Sequence, residues 1–298
     1  MEYGQPKWSH FRPRDGDIVV ATYPKSGTTW MQRIVDLLLW QNDEPRPLSR
    51  LYPWLDQRFE PIGSVLAELE SQQRRRALKT HLPFDGLPIF DEVFYIHVGR
   101  DGRDASLSFH HHLTGFTEEA LTRLDREGAA DPLIADFYPR PPPDPADFFH
   151  VWLTRSCFEG HEDGCPTTSF FKVEQGYWNE RWRSNLLLVH YNDLIADLAG
   201  EMRRIASFLK IRVNEDRLPE LVGAARLDAM RKAGDELMPT VTRLFTDRAS
   251  RFFNRGTNRR WDGAYREEDL RLYQSKIEAL SPECATWIEF GRNAHKIE

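Results

Sequence analysis

The sequence predicts an α/β fold: a single domain over residues 1–298, with a central parallel sheet flanked by helices on both faces and a P-loop-like strand–loop–helix unit near its start. Three observations carry this expectation. Short β-branched runs recur along the chain, stretches with helical apolar spacing separate them, and the runs are apolar at successive positions, as strands covered on both faces require. With 298 residues, 40% of them hydrophobic and 12% aromatic, the chain can bury a sizeable core, which excludes disorder and a disulfide-stapled miniprotein.

The first strand is predicted at Asp17–Thr22, a punctuating loop at Tyr23–Gly27, and a helix at Thr28–Trp40 whose apolar stripe is Trp30, Ile34, Leu37 and Leu38. Ala77–Thr80, Val93–Val98 and Leu186–Tyr191 read as the remaining strands. Helices are expected at Ser64–Arg76, Asp147–Glu159, Thr167–Arg183, Ala199–Leu209, Arg217–Lys232 and from Glu267 onward. Leu113–Asp147, with two glycines and a proline cluster, reads as an extended surface excursion bordering the substrate site, and Thr246–Gly263 as a polar loop.

Composition narrows the function classes. Forty basic residues against 46 acidic ones give a net charge of −6, so an overall basic footprint for nucleic acid is missing and any anionic ligand must be held by local geometry. The first twenty residues contain no apolar signal core, and nowhere do eighteen apolar residues run together; neither a signal peptide nor a membrane span is expected, and the default location is cytoplasmic. Cys157, Cys165 and Cys284 are odd in number and lack metal-ligand spacing, so they are expected to be reduced thiols.

The chemistry concentrates at Thr22-Tyr-Pro-Lys-Ser-Gly-Thr-Thr-Trp30. A glycine-centred turn between a strand and a helix exposes backbone N–H groups where the helix dipole favours an anion. Lys25 adds a charge, and Ser26, Thr28 and Thr29 add hydroxyl donors. The lysine precedes the glycine, Gly27, by two positions, whereas the nucleotide-triphosphate loop G-x-x-x-x-G-K-[ST] places it directly after one. The ligand should differ accordingly.

These nine residues resemble the 5′-phosphosulfate loop of the cytosolic sulfotransferases. Val98-Gly-Arg-Asp-Gly-Arg-Asp-Ala-Ser-Leu-Ser-Phe-His110 resembles the same family's 3′-phosphate segment, Leu78-Lys-Thr-His-Leu-Pro83 its catalytic strand, and Phe252-Phe-Asn-Arg-Gly-Thr-Asn-Arg-Arg-Trp261 its C-terminal loop. With His190-Tyr-Asn-Asp-Leu194, the resemblance runs along almost the whole chain. Tyr52-Pro-Trp-Leu-Asp-Gln57 and Gln72-Gln-Arg-Arg-Arg76 look like bacterial, particularly mycobacterial glycolipid-sulfating, members.

The resemblance implies 3′-phosphoadenosine 5′-phosphosulfate (PAPS) as sulfuryl donor, the 3′,5′-bisphosphate PAP as product, and no metal. Lys25 would contact the bridging oxygen of the departing phosphate, His81 would accept the proton of the acceptor hydroxyl, and Lys79 would hold the transferring group's oxygens. Arg100, Ser108 and Arg255 would grip the 3′-phosphate, Gly256 would permit close backbone approach, and Trp30 and Tyr191 would stack on and hydrogen-bond the adenine. Plain helix packing is the alternative for Trp30, because it shares a stripe with Ile34.

Departures from the family pattern are confined to a few positions. Asn254 stands where the C-terminal loop carries an arginine, with Arg255, Arg259 or Arg260 able to compensate, and Leu227 replaces an aromatic over the adenine. The triplet His110, His111 and His112 points around a helix rather than at one metal, with His110 a candidate for the acceptor pocket. The dimerisation motif of many animal members is not found, so a homodimer stays an open question. Acceptors of this kind are small-molecule or lipid hydroxyls. Two rivals remain at this point: a small-molecule kinase with a variant phosphate loop, and a non-catalytic nucleotide-binding relative.

Overall fold

Four parallel strands stand in the order β2-β1-β3-β4: β1 Ile18–Thr22, β2 Ala77–Thr80, β3 Phe94–Gly99 and β4 Leu186–His190. The computed structural model describes residues 5–57, 60–130, 138, 140–157, 161–253 and 256–292. Alternation along each strand sorts the core into two layers. Val19, Ala21, Leu78 and Tyr95 pack with Phe109, Phe148, Trp152, Phe170, Tyr177 and Trp287 on one face. Ile18, Val20, Ile96 and Val98 pack with Ile34, Leu38, Met202, Ile205 and Leu221 on the other. β1 is central and wholly buried, which explains its unbroken apolar run.

The order also locates the ligand crevice. The chain leaves β1 toward β2 on one side and leaves β3 toward β4 on the other, so the loops after β1 and β3 diverge at their carboxyl ends and open a cleft. Among the described residues no helix is long and apolar enough to cross a membrane.

Several boundaries differ from the sequence expectation, each for a tertiary reason. The helix expected at Ser64–Arg76 spans Ile62–Glu70, because Arg76 is drawn into a buried pair with Asp17 at 2.5 Å and the Gln72 side chain pairs with both backbone groups of Ala77 to start β2. The helix expected at Arg217–Lys232 breaks at an extended Arg226 into Leu218–Ala225 and Leu227–Lys232. That break frees the Ala225 carbonyl, which accepts from the Trp30 indole at 2.8 Å. Pro145–Thr154 and Phe170–Asn179 are shorter than expected and are capped by Asp144 and Ser169, and the C-terminal stretch divides into Glu267–Glu278 and Pro282–Phe290.

Two expectations are corrected outright. The excursion holds a helix, Glu118–Ala130, because amphipathic spacing around the buried Ala120 outweighs Gly115 before it and Gly128 within it; residues 131–137 and 139 lie outside the described set. Cys157 and Cys165 form a disulfide with Cα atoms 5.2 Å apart, and only Cys284 stays a buried free thiol among the cysteines. The chain returns onto the end of the Pro145–Thr154 helix, where Cys165 N–H donates to the Arg155 carbonyl at 3.0 Å. An odd count could not foresee that return.

Beneath the cleft, His97 of β3 is fully buried against Glu174, its Nε2 3.1 Å from Oε2, while Nδ1–H donates to the Ala21 carbonyl at 3.1 Å. Its ring stacks on Tyr177 at 3.9 Å. Removing one partner of a buried hydrogen-bonded pair leaves the other unsatisfied, at a cost of about 1–3 kcal/mol. Glu174→Ala is therefore expected to lower the free energy of urea unfolding by about 1–3 kcal/mol; a loss within about 0.5 kcal/mol, on the order of a surface change, would show that the pair carries little of the fold.

Candidate active site

The loop after β1 makes one wall of the cleft. Lys25 and Gly27 both take positive φ, 69° and 117°, which turns the backbone so that the Thr28–Trp40 helix begins without a side-chain cap. A Cβ on Gly27 would lie 3.1 Å from the Tyr191 ring. The Ser26 hydroxyl is buried without a hydrogen-bond partner in the described structure, and the Thr28 hydroxyl meets that of Thr22 at 2.6 Å. Thr29 lies half-buried in the first turn of the helix. Uncapped N–H groups at a helix start and an orphaned hydroxyl make an anion cradle.

Arg100, just past β3, forms the second wall. It donates to the Lys25 carbonyl at 3.0 Å and to Asn258 at 3.4 Å, and its guanidinium lies 4.1 Å above the Tyr191 ring; its Nε is buried and unpartnered. One side chain thus ties the loops after β1 and β3 to the C-terminal loop. Asp104 fixes the C-terminal loop from below by accepting the N–H groups of Arg259 at 2.8 Å and Arg260 at 3.2 Å. Gly256 has φ 69° and presses so closely on Leu227 that a Cβ would stand 2.0 Å from Leu227 Cδ1. Asn254 and Arg255 lie outside the described residues. Ser108 is half-buried on the Gly102–Leu113 helix.

Trp30 and Tyr191 come together edge to face at 5.1 Å, both nearly buried. Trp30 satisfies its indole N–H at Ala225 and sits in the buried layer with Ile34, as the packing alternative expects.

At the carboxyl end of β2 the reactive groups converge. His81 Nδ1 is 2.8 Å from the Thr22 carbonyl, which can only accept, so Nδ1 carries the proton and Nε2 keeps a free lone pair. Burial, then Lys79, pushes the imidazole down to about 3, and the Thr22 contact only partly offsets this. Lys25 is lowered to about 8 by burial and then by Arg100 and Lys79; Lys79 is lowered to about 8 by burial, with Asp56 opposing. A neutral imidazole therefore sits beside two ammonium groups that give up their protons easily.

Sequence reasoning missed two neighbours of these groups, Asp56 and Asp104, and gave no contacts for Trp54 of the Tyr52–Gln57 segment. Trp54 bridges to Lys79 on the outer edge of β2, stands edge-on to His81 at 5.2 Å and carries the Lys79 ammonium 4.8 Å over its ring. Asp56 accepts the Trp54 indole N–H at 2.8 Å and the His81 backbone N–H at 3.4 Å, so it orients both. Asp104, read only as part of a motif, is the acceptor that shapes the C-terminal loop. The roles of the two carboxylates had no sequence signal. His110, a candidate for the acceptor pocket, pairs with the Pro142 carbonyl at 2.9 Å and is buried against Phe148. Its helix turns that residue toward the proline segment and away from Lys25.

A model described as "Sulfotransferase domain" matches residues 15–281. The chain belongs to the sulfotransferase family. A glycolipid sulfotransferase of Mycobacterium bovis is 37% identical over 97% of this chain and 92% of its own length, and one of Mycobacterium tuberculosis shows the same identity and coverage. The fold is shared with a mouse sulfotransferase solved with PAP, at a TM-score of 0.70, 20% identity, and coverage of 99% of this chain and 94% of that one. A retinol dehydratase solved with androsterone and PAP gives a TM-score of 0.69 at 22% identity, covering 90% and 81%. In this sulfotransferase the loop after β1, the end of β2 and Arg100 after β3 meet at the carboxyl edge of the sheet.

Proposed function

We propose that this sulfotransferase moves the sulfuryl group of PAPS in line onto a hydroxyl of a glycolipid or an apolar small molecule and releases PAP. The observation that carries the reading is the hydrogen bond from His81 to Thr22, which leaves Nε2 as the free base among two lysines. The donor fits the chain's own residues: orphaned Ser26 Oγ and Arg100 Nε, and uncapped helix N–H groups, sit on the two walls where the anionic ends of one adenine nucleotide would lie.

In this reading the acceptor O–H gives its proton to His81 Nε2 as its oxygen bonds to sulfur, and the bond between sulfur and the bridging oxygen breaks, its electrons staying on the phosphate. Lys25 meets the charge that develops there and Lys79 the sulfuryl oxygens, so positioning and electrostatics carry the step. Arg100, Ser108 and Arg255 take the 3′-phosphate, and Trp30, Tyr191 and Leu227 flank the base. Trp54 near His81 and the phenylalanines 116, 245 and 252 near Lys25 favour an acceptor with an apolar body. The mycobacterial relatives, named for glycolipids, point the same way. Neither a nucleic acid nor a second copy of the chain is needed.

The test is product formation from labelled PAPS with panels of glycolipids, sterols and phenols, beside ATP–magnesium with the same acceptors. Sulfated product from at least one acceptor is expected. Phosphorylated product alone, or binding of PAP without transfer to any acceptor, would overturn the reading in favour of a kinase or a binding protein.

A further inference from the structure

His112, at the end of the Gly102–Leu113 helix, is the one member of the histidine triplet that the structure brings to Lys25: its Nδ1 lies 3.4 Å from the lysine Nζ. An ammonium can only donate, so Nδ1 is the accepting, unprotonated nitrogen. Three rings hold the imidazole in place, Phe116 at 5.2 Å, Phe245 at 4.8 Å and Phe252 at 6.2 Å. They come from separate segments clamped together, since Thr117 N–H donates to the Leu244 carbonyl and Thr246 N–H to the Gly115 carbonyl, both at 2.9 Å. Phe252 also presents its ring to the same ammonium at 5.4 Å. Lys79 and Arg100 are the other charged groups that act on this pair, both repelling a second positive charge, and His81 and His111, each lowered by burial first, are its titratable neighbours. Burial and these neighbours keep His112 neutral, so it stays an acceptor.

We propose that His112 is a positioning residue of this sulfotransferase: its Nδ1 lone pair, clamped by phenylalanines 116, 245 and 252, fixes the Lys25 ammonium where it meets the leaving phosphate. This rests on the role given to Lys25 above. Lys25 is a long side chain on a loop with four rotatable bonds, and repulsion from Lys79 and Arg100 would otherwise drive it out of the cleft. A neutral acceptor opposes that repulsion without adding charge.

The test uses three substitutions that separate ring from lone pair. His112→Phe keeps an aromatic body and loses the acceptor; His112→Asn loses the ring but places an amide oxygen at the δ position; His112→Gln moves that oxygen one bond farther out. In steady-state assays with PAPS, His112→Phe is expected to lower kcat at least about tenfold with donor KM changed less than about threefold, the loss of one hydrogen bond to a charged group. His112→Asn should recover to within about threefold of the parent and His112→Gln should not. Stabilisation of each variant by PAP in thermal unfolding reports that the cleft is folded. Full activity of His112→Phe with loss in His112→Asn would mean that the ring only packs, and would overturn the proposal. So would equal activity of His112→Asn and His112→Gln. If the parent chain neither binds PAP nor transfers sulfuryl, the reading beneath fails instead, and that is visible before any variant is made.

Discussion

Replacing His81 with alanine is expected to lower turnover about a thousand-fold while the affinity for PAP stays within about threefold, because a general base contributes roughly two to four orders of magnitude and touches the acceptor rather than the nucleotide. The structural basis is specific. The Nδ1–H bond to Thr22 selects one tautomer and aims Nε2 outward, and Asp56 anchors the backbone of the same residue. Isothermal calorimetry with PAP and single-turnover sulfation with saturating PAPS separate the two quantities. Loss of PAP binding in step with turnover would make His81 a structural residue that holds the β1 loop through Thr22. The same assay across pH adds a second check. kcat/KM for the donor reports the free enzyme, in which the base is lowered to about 3 and both lysines to about 8. His81 is needed neutral, so its form is retained as pH falls to about 4. Lys25 and Lys79 are needed charged, so the rate should fall as pH rises through about 8. A rate that instead drops on acidification near the ordinary imidazole range would show that His81 is more exposed to water than its packing implies.

Arg100→Ala is the second large effect, and its signature is the reverse. PAP binding should weaken about a hundredfold, as expected when a charge-assisted fork on a phosphate is lost, while kcat at saturating PAPS falls less than about tenfold. The side chain does two jobs that a lysine could not share: it presents unused Nε in a buried position and crosses from the Lys25 carbonyl to Asn258. Arg100→Lys keeps the charge without the fork and should recover only part of the affinity. An unchanged dissociation constant in Arg100→Ala would remove Arg100 from the donor site. A collapse of kcat with intact binding would assign it to holding the Lys25 loop.

The strands were legible because they are local: Ile18–Thr22 and Leu186–His190 are apolar on both sides wherever they sit in the sheet. The loop at Tyr23–Gly27 was legible for the same reason, since a left-handed Gly27 and an uncapped helix start are properties of a few consecutive residues. Boundaries failed where a distant partner set them, as Asp17 did for Arg76 and Trp30 for the break at Arg226.

Without a fold, the chain already specified its α/β class and the glycine-centred turn after β1, because periodicity and motif spacing depend on neighbours within a turn or two; Lys79, His81 and Arg100 stood out only through the family resemblance. Only the tertiary structure decided which histidine of the triplet faces Lys25, which carboxylates orient Trp54 and the C-terminal loop, and that Cys157 meets Cys165. Each of those outcomes depends on where a helix is rotated or a segment folds back against parts of the chain far away in sequence, and burial, not local preference, sets that placement.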